Sequence, residues 1–203
     1  MPKAGWILVL FALLGSGTVR ATDDPVAVIS TVSDEILAHL ETEAERIRSD
    51  PDYLLHLIDE LLVPHIDQRT IARRVLDKHW QNASETQRDQ FTVEFRRYMA
   101  RFYAQVFCEY AGEEISIDHS ALTQSEDGEQ VVVKAEITPP GGECVDVRYR
   151  LRTIGETWKV YDIIIDGVSL VDTNRSQFDH LIDRDGLDHV IASMVERNAK
   201  PLR

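Results

Sequence analysis

The sequence has little glycine, proline and cysteine, and it has no apolar run as long as a membrane-spanning helix. Ten glycines and seven prolines in 203 residues are too few for a collagen-like or low-complexity chain. Hydrophobic residues make up 43% of the chain, which is more than a disordered acidic protein can carry without forming a core. The chain is therefore globular, and its length favours a single domain.

Basic residues are also scarce. The chain has 22 lysines and arginines against 35 acidic residues, so its formal net charge is −13. A protein that follows the phosphates of a nucleic acid needs a positively charged surface. The charge balance therefore argues against a nucleic-acid partner.

The first 21 residues have the features of a signal peptide. Lys3 supplies a positive start, an apolar run covers residues 6–14, and Val19 and Ala21 occupy the −3 and −1 positions of a cleavage site. A membrane anchor is the alternative, but an apolar run of about 20 residues would be needed to span a bilayer. We expect cleavage after Ala21 and export of a single domain, residues 22–203.

Export affects how the two cysteines are interpreted. Cys108 and Cys144 could form one disulfide in an oxidising compartment, and the alternative is two buried thiols. A disulfide is favoured because Cys108 ends a predicted long helix and Cys144 begins a strand that should pack nearby. Neither cysteine has a partner at metal-ligand spacing, so the sequence predicts no metal site and no cofactor.

The first half of the mature chain has helical patterns. Two Asp-Pro pairs each supply an N-cap followed by proline at the first helical position, and Pro64 must end a helix. Asp67 can cap another helix, and Ser84 with Gln87 forms a capping box. With apolar residues at three- and four-residue steps, these signals predict helices over residues 25–48, 51–62, from 67 onward and 84–108.

After residue 112 the apolar spacing changes from about 3.6 residues to 2. This pattern predicts antiparallel strands over residues 115–119, 130–137, 145–153 and 157–165, followed by short helices from about residues 175 and 185. The fold class is therefore α+β, with a helical N-terminal half packed on a curved, mainly antiparallel four-stranded sheet. The wide apolar stripe of the long helix against this sheet indicates either a large core or an apolar cavity.

Several segments of the chain resemble the MlaC family, also called the toluene-tolerance auxiliary family. The C-terminal signature is carried by WKVYDIIIDGVSL at residues 158–170 and NRSQF at residues 174–178. The helical half is similar at LLVPHID (61–67), IARRVL (71–76), HW (79–80) and QRDQF (87–91). The likeness covers nearly all of residues 25–195. Most members have tyrosine or phenylalanine near His65, and we expect that departure to alter the pocket rim without changing the class.

The resemblance implies a periplasmic carrier of glycerophospholipid with no catalytic residues. Such a carrier would work between an inner-membrane ABC transporter complex containing an MCE-domain protein and an outer-membrane lipoprotein–porin complex, and it would maintain outer-membrane lipid asymmetry. The resemblance also implies an apolar cavity that holds the acyl chains, so the lipid is cargo and not a cofactor. We expect a monomer.

Apolar residues of the long helix, of its helical neighbours and of the strands are the candidates for this cavity. Packing in an ordinary core is the alternative for each of them taken alone. The predicted lipid-binding residues are Val63, Ile66, Ile71, Val75, Phe95, Met99, Phe102, Tyr103, Val106, Tyr149, Leu151, Val160, Ile163, Ile165, Val168 and Leu170.

An enzyme is the second interpretation of the same pattern. Small cone-shaped α+β enzymes transfer protons on hydrophobic substrates with a buried carboxylate of raised pKa, and Asp162 or Asp166 could serve. Pairing with Arg175 or a backbone amide is the ordinary explanation of such a carboxylate. A protein-interaction module is a third interpretation, and the lipid content of the exported protein distinguishes the three.

The proline break indicates where a cavity of this kind would open. Pro64 lies beside a short predicted helix whose residues Ile66, Ile71 and Val75 face the predicted cavity. We therefore predict that opening occurs on the helical side, around residues 64–75. The alternative is that Pro64 only terminates a helix.

Overall fold

The computed structural model describes residues 24–108, 112, 114–124 and 129–202. The predicted signal peptide and its cleavage site lie outside the described residues. Within these ranges, no helix combines the length and the apolar character needed to cross a membrane.

The helical half comes first in the chain. Its α-helices are α1 (Pro25–Thr42), α2 (Ala44–Ser49), α3 (Pro51–Leu57), α4 (Gln68–Leu76), α5 (Lys78–Asn82) and α6 (Glu85–Cys108). A π-helical turn (Ile58–Leu62) and a 3-10 turn (Val63–His65) connect α3 to α4. The sheet follows, with β1 (Glu114–Gln124), β2 (Gln130–Thr138), β3 (Val145–Ile154), β4 (Thr157–Ile165) and β5 (Val168–Ser169). Two helices, α7 (Leu170–Asp185) and α8 (Leu187–Asn198), end the described chain.

The first predicted helix is divided in two at Glu43. This residue has non-helical dihedrals (φ −114°, ψ 19°). Hydrogen bonds from Tyr53 and His39 lower the pKa of its carboxyl group. The break turns α2 so that Ile47 becomes buried and packs in one cluster with Leu54 of α3. Apolar spacing continued through the break, which is why the sequence predicted one helix.

The second predicted helix is regular only as far as Leu57. Beyond it the backbone widens into the π-helical turn, and the N–H of Val63 donates to the carbonyl of Ile58, five residues back. Pro64 is the physical reason, because its ring would clash with the carbonyl four residues earlier in a regular α-helix. The prediction of one regular helix over residues 51–62 is therefore wrong in its second half.

Two other helix starts follow their capping signals. The N–H of Thr70 donates to Oδ1 of Asp67 at 3.0 Å, which caps α4. At α6, the N–H of Gln87 donates to Oγ of Ser84 at 3.2 Å, and the N–H of Ser84 donates to Oε1 of Gln87 at 2.9 Å. The predicted capping box is confirmed, and it begins a helix of 24 residues, about 36 Å long.

The described strands form one antiparallel sheet in the order β1-β2-β3-β4-β5. The α+β class is confirmed, and the fifth strand corrects the predicted count of four. An Asp166-Gly167 turn with positive φ at both residues (48° and 82°) makes the extra hairpin between β4 and β5. Ser169, the last residue of β5, caps α7, because its side chain accepts from the N–H of Asp172 at 3.0 Å. This cap starts α7 five residues before the predicted start at residue 175.

A β-bulge in β4 changes which side chains face the helices. Arg150 pairs with Asp162, but the next residue of β3, Leu151, pairs with Val160. Tyr161 is therefore the extra residue, and the strict alternation of faces is broken at this point. A second irregularity lies between Asp118 and Thr123 of β1. Bulges bend strands, so these two irregularities are consistent with the predicted curvature, which stays a prediction.

Three buried apolar clusters make up the described core. One joins α4, α6, α7 and α8 around Phe91 and Phe178. The two rings pack edge to face with their centroids 5.6 Å apart. A second joins α1, α2, α3 and the π-helical turn to α6 at Ala100 and Ala104. The third packs α1 on β2, β3 and β4 around Leu151. The sequence indicated either a large core or an apolar cavity. The structure contains both, because a cavity lies between the clusters of the core.

Candidate functional site: an apolar cavity between helices and sheet

The cavity lies where the three apolar clusters meet. Its walls come from the π-helical and 3-10 turns, α4, α6, β4 and the start of α7. Its volume is about 130 Å³, and about 820 Å³ of empty space is present when the part open to solvent is counted. The exposed surface inside it is almost entirely apolar. Such a site is suited to hydrocarbon, because little polar surface has to lose water when an apolar ligand enters.

The structure places many of the predicted lipid-binding residues on this wall. They are Val63, Ile66, Ile71, Phe95, Met99, Tyr103, Val160, Ile163 and Leu170. Val160 and Ile163 have opposite parity along β4 and could not share a face of a regular strand. They share the cavity because the bulge at Tyr161 lies between them.

Other predicted residues lie elsewhere. Val75 and Leu151 are fully buried in two of the clusters and do not line the cavity. Tyr149 and Ile165 are half-buried in β3 and β4 but are also not lining residues. The side chain of Val106 lies outside the described residues.

Phe102 and Val168 are corrections to the expected placement, because both side chains are exposed (51% and 56%). Phe102 lies on the side of α6 that faces a surface groove beside Arg197 and Leu202. The α6 stripe is wider than one wall, so its residues divide between the cavity, the α7–α8 cluster and solvent. Val168 follows the Asp166-Gly167 turn on the short strand β5 and does not line the cavity.

His65 was expected to alter the rim of the pocket. It lies in the 3-10 turn between the lining residues Val63 and Ile66, but it is not itself a lining residue. Its effect on the rim stays a prediction.

Several lining residues were missed by the sequence interpretation. They are Ile58, Leu62, Gln68, Thr92, Arg96, Ala100, Val171 and Asn174. Thr92, Arg96, Ala100 and Tyr103 are at three- and four-residue steps on α6, so one helical face carries them. A search restricted to apolar types could not find this face, whereas helical periodicity extended from Tyr103 would have found it.

Asp162 is the buried carboxylate of the cavity, with 2% of its surface exposed. Arg150 Nη1 donates to its Oδ2 at 3.0 Å, and Ser169 Oγ lies 3.0 and 2.9 Å from its two oxygens. The N–H of Val171 donates to Oδ1 at 3.3 Å. These partners meet the requirements of a buried charge and join β3, β4 and α7. The expected backbone-amide partner is present, but the cation is Arg150 in place of Arg175, which pairs with Asp172. Asp162 is therefore paired and is not the unpaired carboxylate that a proton-transfer enzyme would need.

Asp166, the other candidate base, lies in the exposed turn after β4. Its Oδ1 accepts from the N–H of Asp146 at 3.1 Å. It is exposed and does not line the cavity, so Asp166 is not the buried carboxylate that the enzyme interpretation requires.

Tyr103 of α6 and Tyr149 of β3 are half-buried tyrosines in the cavity region. Burial is the main cause that raises the pKa of Tyr103, and Tyr149 and Asp162 contribute to that rise. Burial also raises the pKa of Tyr149. Both phenols are therefore neutral at physiological pH and add no charge to the cavity region.

Among the described residues, His79, Asp179 and Asp183 have the spacing of metal ligands. The ammonium of Lys78 lies 2.9 Å from a carboxylate oxygen of each aspartate, where a metal ion would have to compete with it. These hydrogen bonds raise the pKa of Lys78 to about 12. Since His79 also lies 2.7 Å from Asp179, the group is an ion-pair network that holds α5 to α7.

Cys144 is a free, exposed thiol in the turn between β2 and β3. Its Sγ lies 3.4 Å from Oγ1 of Thr138. The structure therefore does not form the predicted disulfide at Cys144, and the side chain of its proposed partner Cys108 lies outside the described residues. The pairing stays a prediction for the exported protein.

Comparison with known proteins agrees with this architecture. A family model described as MlaC protein matches residues 30–196, most of the chain. The chain belongs to the MlaC family. The resemblance of the sequence segments to this family is thereby confirmed.

Curated relatives of this MlaC-family chain extend over nearly its whole length. The toluene tolerance protein ttg2D of Pseudomonas putida is 28% identical over 183 residues, covering 90% of this chain and 83% of the relative. The intermembrane phospholipid transport system binding protein MlaC of Haemophilus influenzae is 23% identical over 197 residues, covering 96% and 91%. A solved phospholipid-binding protein from Ralstonia solanacearum, in complex with a phospholipid, has 26% identity and a TM-score of 0.77, covering 87% of this chain and 98% of that one.

Proposed function

We propose that this MlaC-family protein is a periplasmic phospholipid carrier and that the acyl chains of its cargo occupy the cavity between α6 and β4. The cavity is the main support for this proposal, because its walls are apolar. In addition, the chain shares its fold with a protein solved in complex with a phospholipid. Its wall residues Phe95, Met99 and Ile163 would contact the acyl chains. Phospholipid is cargo here, and no cofactor is required.

The energetics of the cargo explain why a dedicated carrier is useful. Two acyl chains contain about 30 methylenes, each worth roughly 0.8 kcal/mol when removed from water. A free lipid in an aqueous compartment is therefore extremely rare. A carrier must bind it about as strongly as a membrane does, since a much tighter site could not release the lipid and a much weaker site could not load it.

Because the carrier and the membrane would bind the lipid about equally strongly, we include partner complexes that load and unload the carrier. The carrier would receive and deliver lipid at an inner-membrane ABC transporter complex with an MCE-domain protein and at an outer-membrane lipoprotein–porin complex. If the lipid binds the carrier and the membrane with nearly equal affinity, an ATP-driven partner or a concentration gradient can set the direction of lipid transfer. Transfer of this kind would maintain outer-membrane lipid asymmetry.

The geometry favours a carrier over an enzyme. The carboxylate in the cavity, Asp162, is engaged by Arg150, Ser169 and a backbone amide. The metal-like cluster at His79 already includes the cation Lys78. We therefore assign both groups to the support of the fold and no catalytic role to either.

Protein exported by cells and purified without detergent should contain bound diacyl phospholipid. Organic extraction followed by phosphate and mass analysis measures the lipid, and native mass spectrometry gives the number of lipids per protein. An unrelated exported protein, purified in parallel, controls for carry-over of membrane fragments. Absence of phospholipid in repeated preparations would contradict the carrier, and an empty protein that turns over a small hydrophobic substrate would favour the enzyme.

Lipid loading should also change the protection of backbone amides against hydrogen exchange more in one wall of the cavity than in another. The cavity volume of about 130 Å³ is well below the roughly 300–1,000 Å³ of sites that hold drug-sized ligands, so a diacyl lipid requires a wall to move. The π-helical turn, the 3-10 turn and Pro64 make the helical wall the irregular one. It is joined to β4 where the N–H of Asp67 donates to the carbonyl of Val160 at 2.8 Å.

We therefore predict that lipid slows amide exchange in residues 64–75 more than in residues 145–151 of β3. The reason is that the cargo fills the space behind the irregular wall, whereas β3 is already held between β2 and β4. Hydrogen exchange with and without bound lipid, read by mass spectrometry, measures both segments. Equal changes in the two segments would rule out opening at this wall.

A further inference from the structure

Arg96 is the basic residue among the side chains that line the described cavity. It projects from α6 one turn beyond Thr92, which also lines the cavity, and its side chain is 22% exposed. The guanidinium forms an ion pair with Asp59 of the π-helical turn, whose side chain is 49% exposed. The pair therefore marks a place where the cavity wall reaches solvent.

The position suits the polar end of an amphipathic ligand. Gln68 at the start of α4 and Thr92 line the same cavity as Arg96, whereas Met99 and Tyr103 continue the α6 face with apolar or buried groups. An acyl chain along this face would leave its polar end beside Arg96. The other charged residue that lines the described cavity, Asp162, already has Arg150 as its cation and would repel a phosphate.

Arginine is the side chain best suited to a phosphodiester. Its planar guanidinium donates two parallel hydrogen bonds to phosphate oxygens, and such charge-assisted bonds are stronger than neutral ones. Asp59 occupies the same guanidinium in this structure, so a phosphate would have to exchange with a carboxylate that is half exposed. An exposed ion pair is weak enough to be exchanged, because solvent already screens it.

We propose that Arg96 binds the phosphodiester of the cargo lipid in exchange for Asp59, and that it selects phosphate-bearing lipids over neutral ones. The inference rests on the proposed function and names the chemical group that this site recognises. The exchange would also release Asp59 and with it a link between α6 and the π-helical turn, at the wall where we expect opening.

The test is a competition between two lipids with the same acyl chains. Purified, delipidated protein is loaded from mixed micelles of dioleoyl phosphatidylglycerol and dioleoylglycerol at equal concentration, and extracted lipids are quantified. The wild type should prefer phosphatidylglycerol. Arg96→Gln should lower the ratio of bound phosphatidylglycerol to bound dioleoylglycerol about tenfold, the usual effect of one charge-assisted hydrogen bond.

Two further variants make the result specific. Arg97→Gln removes the neighbouring arginine, which pairs with Glu94 and does not line the cavity, and should leave the ratio unchanged. Asp59→Asn removes the competing carboxylate and should raise the ratio. If Arg96→Gln does not fold, Arg96→Lys keeps the charge without the planar fork and should give an intermediate ratio.

The outcomes separate this inference from the proposed function. Normal loading with equal ratios in the wild type and Arg96→Gln would overturn the role of Arg96 and leave the carrier intact. No loading of either lipid by the wild type would overturn both. Inorganic phosphate at ten times the lipid concentration should not change the ratio, and displacement of phosphatidylglycerol by it would assign Arg96 to free anions instead.

Discussion

Replacing Ala100 with tryptophan is expected to abolish phospholipid loading while the protein remains folded. Ala100 lies in the middle of α6 and lines the cavity, so the indole would occupy the space proposed for the acyl chains. The change fills an existing void, and the cost of overpacking should therefore be small. Lipid extracted per mole of protein should fall to the level of the carry-over control.

Ala104 provides the matched control, one turn further along the same helix. It is completely buried and does not line the cavity, so Ala104→Trp must push packed side chains apart. Overpacking of this kind costs about 1–3 kcal/mol or more, and we expect a lower melting temperature in place of a simple loss of lipid. Thr92→Trp, at a half-buried position of the cavity wall, is a second blocking variant. Wild-type lipid content in both folded blocking variants would place the cargo outside this cavity.

The contrast between neighbouring residues of α6 shows how far the sequence could define the site. The apolar spacing predicted the helix and correctly brought Phe95, Met99 and Tyr103 to one wall. It could not separate them from Phe102, because a stripe wider than one helix face has to divide among several neighbours. Which neighbour covers which residue is a property of the tertiary packing.

In the second half of the chain, turn and capping residues hold more information about the fold than the apolar spacing from which the strands and helices were predicted. The Asp-Gly pair at 166–167 is a strong hairpin signal, and Ser169 follows it as a helix cap. Together they predict β5 and the start of α7, both of which were missed. The bulge at Tyr161 is different. Trp158 and Val160 follow the alternation of β4, but Asp162 and the apolar run at 163–165 depart from it, and a departure of this kind does not by itself identify which residue is extra.

The polar residues of the cavity depend on long-range pairing and were the hardest to predict. Asp162 was correctly named as a candidate buried carboxylate, but its partners Arg150 and Ser169 come from two other strands. Arg96 faces Asp59 across 37 residues of sequence. Ion pairs of this kind have no periodic signature, so only the fold reveals them.

Replacing Asp162 with alanine should destabilise the protein by about 3 kcal/mol, because the breaking of a buried, paired charge leaves several donors without an acceptor. The Ser169 hydroxyl and the Val171 N–H would lose their acceptor next to an apolar cavity, and the stranded Arg150 is about one-third exposed, which reduces its own share of the cost. For a domain of this size the change corresponds to a fall in melting temperature of roughly 10 °C. Urea unfolding should show a lower midpoint at an unchanged slope.

The double variant Asp162→Leu with Arg150→Leu tests whether the loss comes from stranded polar groups. Removing both charges together should recover part of the stability that Asp162→Ala loses, since apolar replacements of a buried ion pair are often neutral. The opposite result would follow if Asp162 were a catalytic base, because such carboxylates are held at a cost to the fold and their removal commonly stabilises a protein. A melting temperature of Asp162→Ala equal to or above that of the wild type would therefore contradict the structural role assigned to Asp162 and return the enzyme interpretation to consideration.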